Sequence, residues 1–293
     1  MKMNRPKSPS GWPAALLTGM VLGLSLPWAH TGDKLQDQLH DQLHNGAPLV
    51  SATSGAFRTP MVELYTSEGC SSCPPADNWL RRLGLALNAD FNAVPLAFHV
   101  DYWNYLGWTD PYSKPAFTKR QREAPANRYR GGGVYTPEFV VDGREARGGD
   151  AILEFIRDAN SQQAEATIRL SVARRDAGDD PVAGASNLEA RIDVDHRAAA
   201  DNARAHVAVY ESGITRKIGA GENHGRTLMH DFVVRHWSRP IAIRRGANHA
   251  DVEVEIPADW KRANLGLAVV VLDPDNGRTL QAVRTSLAPL FFN

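Results

Sequence analysis

The chain has 293 residues, enough for two domains each with its own core. Its 33 Lys and Arg balance 33 Asp and Glu, so global charge gives no argument for a nucleic-acid or membrane-surface partner. With two cysteines in all, no disulfide framework can staple the fold, and apolar cores must hold it.

Residues 1–30 read as an export signal. Lys2, Arg5 and Lys7 precede an apolar run at 13–27, shorter than the roughly 20 residues of a typical membrane-spanning helix, and Pro27-Trp28-Ala29-His30 follows. The segment is a signal peptide cleaved near Ala29 or an uncleaved N-terminal anchor, and it is the only membrane contact expected. The expected location is therefore periplasmic or secreted. Residues 31–57 are polar, carry the near repeat Asp37-Gln38-Leu39-His40 and Asp41-Gln42-Leu43-His44, and read as a linker.

Both cysteines fall in the stretch Val62-Glu63-Leu64-Tyr65-Thr66-Ser67-Glu68-Gly69-Cys70-Ser71-Ser72-Cys73-Pro74-Pro75-Ala76-Asp77. Residues 61–65 favour a strand, a Ser/Glu/Gly turn follows, and helical periodicity begins at the cysteines. Cysteines three apart at a helix start are close enough to close or open a small disulfide ring. The first thiol lies over unpaired backbone N–H groups that favour its thiolate, which makes Cys70 the expected nucleophile and Cys73 the resolving thiol. Pro74 and Pro75 fit a first helical turn, where no N–H partner is lost. The competing readings are a structural bridge, which would staple little across so short a loop, and a metal clip, for which no second cysteine pair exists.

The next helix carries Trp79, Leu80, Leu83 and Leu87 on one stripe, and 94–100 is a nearly continuous apolar run expected of a strand covered on both faces. Strand, helix and strand form a right-handed βαβ unit. Residues 101–117 are an insertion rich in rings, including Trp103 and Trp108. With Tyr135 further on, these two are candidates for a substrate-binding wall; the alternative is a cap whose rings fill core. Thr136-Pro137 heads an apolar strand, where a cis bond would supply the bend that such a proline needs, and Asp142-Gly143 reads as a tight hairpin turn. A helix follows over 150–160, with Asp150 as candidate N-cap. Beyond residue 165, seven short β candidates (166–173, 188–194, 205–210, 228–236, 252–256, 265–272 and 279–285) point to an immunoglobulin-like sandwich.

Cys70-Ser71-Ser72-Cys73 at a helix start, Thr136-Pro137 ahead of a later strand, and the β–α–β order between them resemble the thioredoxin-like superfamily. More closely, the cysteine stretch, His99-Val100-Asp101-Tyr102-Trp103, Leu106-Gly107-Trp108, Arg120-Gln121 and Tyr135-Thr136-Pro137 resemble a family of uncharacterised secreted bacterial thioredoxin-like proteins, known only as a domain of unknown function. That likeness continues as Gly221-Glu222-Asn223-His224-Gly225 and Val233-Val234-Arg235. It implies an α/β thioredoxin-like domain at 58–162 followed by an all-β immunoglobulin-like sandwich domain at 163–293. It further implies a Thr136-Pro137 loop beside the thiols that offers backbone to a substrate, and Glu63 as a buried proton relay. The implied activity is thiol–disulfide exchange with a protein or small-molecule thiol or disulfide, without a cofactor or nucleic acid. Ser71-Ser72 between the cysteines matches neither the thioredoxin pair nor that of strong oxidants, so the likeness implies no direction. Two other functions stay open: a Cu(I) or Zn(II) module using Cys70, Cys73 and His99, and a non-catalytic adaptor using the 221–225 loop.

Overall fold

The computed structural model describes residues 49–88, 91–128, 133–175, 184–197 and 202–292. The export segment at 1–30 and linker residues 31–48 lie outside the described residues. Residues 49–53, read as linker, form strand β1 (Leu49–Thr53). The next elements are β2 (Met61–Thr66), α1 (Pro74–Ala86), β3 (Val94–His99), α2 (Pro115–Glu123), α3 (Pro125–Arg128), β4 (Glu138–Val141), β5 (Arg144–Ala146) and α4 (Gly149–Asn160). The remaining strands are β6 (Ala166–Arg174), β7 (Ser186–His196), β8 (Ala203–Glu211), β9 (Ile214–Lys217), β10 (Thr227–His230), β11 (Val233–Trp237), β12 (Ile241–Ile243), β13 (Gly246–Ile256), β14 (Leu265–Leu272) and β15 (Thr279–Ser286).

Local chemistry sets these elements. Pro74 and Pro75 occupy the first turn of α1, where a missing N–H costs nothing, and Pro74, Asp77, Leu80 and Leu83 form its buried stripe. The β4–β5 hairpin turns through Asp142 and Gly143, both at positive φ (53° and 77°). Helix α4 is capped by Gly148, and Asp150 stands in its first turn without capping it.

The expected thioredoxin-like α/β domain followed by an immunoglobulin-like sandwich is not what the chain forms. Among the described residues it is mostly β, and one mixed sheet runs through both expected domains in the order β15-β14-β8-β11-β3-β2-β4-β5, with β12 beside β8. The join is between β3 and β11, where Ala97 pairs in parallel with Val233. All six residues of β3 are buried, and its second edge is satisfied by a strand from the C-terminal half.

A second sheet, β1-β6-β7-β13, is antiparallel throughout. Alternation along β8 and β14 gives the long sheet two apolar faces. Ala208, Tyr210, Ala268 and Val270 join the core of β2, β3 and α1, whereas Val207, Val209, Val269 and Val271 join the core against β6 and β7. Buried Arg58 fastens the two halves: it pairs with Asp142 at 2.5 Å and donates to the Thr279 carbonyl and to Gln162 Oε1 at 2.9 Å. The described residues from 49 onward form one compact unit.

Candidate functional site

Cys70 and Cys73 are joined in a disulfide, with Cα atoms 5.5 Å apart. Cys70 lies in a turn ahead of α1 rather than inside the helix: its N–H donates to the Ser67 carbonyl, the Cys73 N–H donates to the Cys70 carbonyl, and Cys73 is the N-cap. Both cysteines are fully buried, while Ser71 and Ser72 between them are exposed.

The aromatic insertion packs against this turn. A Cβ placed on Gly69 would meet Trp103 Cβ at 3.1 Å, so glycine is what lets the two segments touch. Trp103 Nε1 donates to Thr136 Oγ1 at 2.7 Å and ties the insertion to the Thr136–Pro137 peptide, which is cis. Trp108 Nε1 donates to Glu68 Oε2 at 2.8 Å. A Cβ placed on Gly219 would meet the Trp108 ring at 3.2 Å, and one on Gly221 would meet Trp108 Cβ at 3.1 Å. Tyr135 is partly exposed at a groove of about 590 Å³ whose walls include Ser72, Pro75, Trp79, Pro137 and Phe139. The structure thus gathers Cys70, Cys73, Trp103, Thr136, Pro137 and Tyr135 in one region, with Trp108 tied to Glu68 of the cysteine turn.

Glu63 is not brought there. Leu64 pairs across β2–β4 with Phe139, whose ring meets Trp79 of α1, so Leu64 faces α1. Its neighbour Glu63 must then point to the opposite face of the sheet. On that face Glu63 Oε2 accepts from Arg120 Nε at 2.9 Å and from the Tyr65 hydroxyl at 2.7 Å. Burial and the Glu63 carboxylate push the Tyr65 phenol well above its ordinary value.

A different set of ionisable groups lies on the α1 face. Glu68, Asp77, His99, Asp110 and His230 are all buried. His99 Nδ1 meets Asp110 Oδ2 at 2.7 Å, and that same oxygen accepts the Glu68 N–H at 2.8 Å. Burial alone would lower the His99 pKa, but the Asp110 carboxylate outweighs it and the net shift is upward. Burial likewise opposes ionisation of Asp110, yet His99 and the Glu68 and Tyr112 N–H groups hold its carboxyl below the usual range. His230 Nε2 stands 3.4 Å from Glu68 Oε1, and its Nδ1 stands 3.7 Å from Asp77 Oδ2. Burial raises the Asp77 carboxyl, against the pull of His230 and His99.

The 221–225 loop lies across the cysteine turn. Buried Asn223 donates its side-chain amide to the Cys70 and Glu68 carbonyls, both at 2.9 Å. Glu222 Oε2 accepts the Ser71 N–H at 3.0 Å, which lowers that carboxyl.

The metal set Cys70, Cys73 and His99 is not assembled. The two sulfurs are bonded to each other, His99 Nδ1 is directed at Asp110, and no metal-holding group of three His, Cys, Asp or Glu occurs among the described residues. His230 of β10 reaches the α1 face. Asp77, Glu68 and Asp110 were missed as a group. The available signal was Asp77 itself, an acid three residues before Leu80 on an otherwise apolar stripe.

No curated protein matches the chain. Among solved structures, the crystal structure of protein AGR_C_4864 from Agrobacterium tumefaciens is 27% identical, covers 80% of this chain and 96% of that one, and superposes with a TM-score of 0.53. HBP35 of Porphyromonas gingivalis is 15% identical over 80% of this chain and 76% of that one, with a TM-score of 0.56, a likeness of fold alone. A family model matches residues 61–272, from the first residue of β2 to the last of β14, so it takes in the disulfide, the buried acids and the 221–225 loop. The chain belongs to the family described as Protein of unknown function (DUF1223).

Proposed function

We propose that the chain is an exported thiol–disulfide oxidoreductase acting through Cys70 and Cys73. The observation that carries this reading is the disulfide's position. It joins residues only three apart at the head of α1 and tethers no distant segment. So short a loop constrains the unfolded chain little, which leaves chemistry rather than stability as its use.

In this reading a partner thiolate attacks Cys70, forms a mixed disulfide and releases Cys73; attack by Cys73 in the reverse sense frees the partner. The helix N-terminus favours the Cys70 thiolate. The partner is a protein or small-molecule thiol or disulfide, and the groove between Trp79 and Pro137 is the surface offered to the residues beside its sulfur. Because both cysteines are buried, exchange requires the 221–225 loop to release the cysteine turn.

The test is alkylation trapping of Cys70 and Cys73 across glutathione redox buffers, with Cys70→Ser and Cys73→Ser as controls. A reversible two-electron transition is expected, with Cys70 alkylated first at low pH and with Cys73→Ser retaining glutathione on Cys70. A disulfide that resists every buffer defeats the proposal.

A further inference from the structure

The α1 face beneath the disulfide holds a cluster that packing does not require. Among the described residues, both ring nitrogens of His230 and Glu68 Oε1 are buried with no hydrogen-bond partner, although the two nitrogens stand 3.4 Å from Glu68 Oε1 and 3.7 Å from Asp77 Oδ2. An unsatisfied buried polar atom is costly, so three in one place need an explanation. An apolar replacement of His230 would remove that cost. A ring that must hold a buried carboxyl in place cannot be so replaced.

Position ties this cluster to the disulfide. Asp77 is four residues after Cys73, hence on the same side of α1, and its N–H donates to the Cys73 carbonyl at 3.1 Å. Asp77 lies on the buried stripe that faces the sheet. His230 arrives from β10, which packs beside α1. The groups facing His230 are Asp77 from α1, Glu68 from the cysteine turn, His99 at the end of β3 with its ring centroid 5.1 Å away, and Tyr112 at 6.4 Å. Asp110 stands behind His99, and Arg216 of β9 approaches Glu68 at 3.5 Å.

We propose that Asp77 is the proton donor to the sulfur that Cys73 releases when the disulfide opens, and that His230 is the positioning residue that holds it. This deepens the oxidoreductase reading and rests on it. When a partner thiolate attacks Cys70 Sγ, a bond forms there and the Cys70–Cys73 bond breaks with its electron pair on Cys73 Sγ. The Asp77 carboxyl proton passes to that sulfur and leaves a carboxylate beside the His230 ring, whose Nδ1 stands 3.7 Å from Asp77 Oδ2. A second thiolate of the partner then attacks the partner's own sulfur in the mixed disulfide and expels Cys70 as thiolate. The partner leaves as a disulfide, oxidised by two electrons, and the chain is the dithiol. The reverse reaction returns the proton to Asp77. The raised carboxyl of Asp77 fits a group that carries a proton to deliver.

The experiment is the pH dependence, from pH 5 to 9, of disulfide opening by dithiothreitol in the whole chain, in wild type, Asp77→Asn, Asp77→Glu and His230→Gln. Asp77→Asn is expected to slow opening by about a hundredfold and to flatten the profile; Asp77→Glu restores part of the rate, and His230→Gln shifts the inflection. Because Asp77→Asn can also perturb folding, the His230 ring is followed by NMR in unmodified protein, where its titration midpoint must differ between disulfide and dithiol forms. A wild-type profile in Asp77→Asn, or a His230 midpoint indifferent to redox state, overturns the proposal while the oxidoreductase reading stands. A wild-type disulfide that dithiothreitol cannot open overturns both.

Discussion

The side-chain amide of Asn223 donates to the carbonyl of Cys70 at 2.9 Å, across 153 residues of sequence. The same amide donates to the Glu68 carbonyl, and its oxygen accepts from Arg226. One buried side chain therefore holds both the cysteine turn and the loop that lies on it. Asn223→Ala strands two carbonyls at a cost of roughly 1–3 kcal/mol and frees the loop. The expected outcome is faster opening of the disulfide by dithiothreitol, by about tenfold, in a protein that still folds. Stopped-flow reduction alongside thermal unfolding checks it; an unchanged rate would show that the loop does not guard the sulfurs.

Arg58 tests whether the two halves are one folding unit. Its guanidinium is buried against Asp142 and the Thr279 carbonyl, and Asp142 Oδ1 also accepts the Thr279 N–H at 2.8 Å. Replacing Arg58 by Met leaves Asp142 as an uncompensated buried charge, which costs about 3–5 kcal/mol. Calorimetry of Arg58→Met is expected to show a single transition shifted down by on the order of 10 °C. Two transitions, only one of them shifted, would mean that the halves unfold independently.

Local elements were readable from the sequence because periodicity encodes them. The stripe of α1, the apolar run of β3 and strand β14 stand close to where 3.6- and 2-residue patterns place them. Their assembly was not readable. Nothing in 94–100 says that the strand covering this edge begins at Val233 rather than belonging to a separate sandwich. The candidate strand at 228–236 is in fact β10 and β11, broken at Phe232, which adopts φ 58°; a bulky residue in the left-handed region carries no sequence signature. The disulfide and its Trp103–Thr136 neighbours follow from short motifs, whereas the acid cluster draws on the cysteine turn, α1, β3, the insertion and β10 together. Glu63 illustrates the limit: the proper residue type on the proper strand, facing the other side.

Glu222 places a carboxylate on the Ser71 N–H, one residue from Cys70. A negative charge there opposes the Cys70 thiolate. Glu222→Gln is therefore expected to lower the Cys70 pKa and speed its alkylation at low pH in the reduced protein. Since Glu222 is exposed, the effect should be a few tenths of a pH unit, on the order of the weak coupling of surface charges, and vanish at about 1 M salt. A shift that survives high salt would place its origin in structure rather than charge.

The His99–Asp110 pair predicts how stability varies with pH. Burial opposes the His99 charge but Asp110 overrides it, so the folded-state pKa is raised. The folded chain then binds more protons than the unfolded one between the two pKa values. The contribution is complete below the unfolded value, about 6.5, and is lost as pH rises through the folded value. Asp110 has the opposite sense: its lowered pKa gives stability above the ordinary carboxyl range that is lost on acidification through the folded value. Urea unfolding should thus show stability falling from pH 6 toward alkaline pH, and His99→Gln should remove that fall. At pH 6 the same variant should be less stable than wild type, because Asp110 then keeps a buried charge without its partner. An alkaline slope that persists in His99→Gln would assign it to another group.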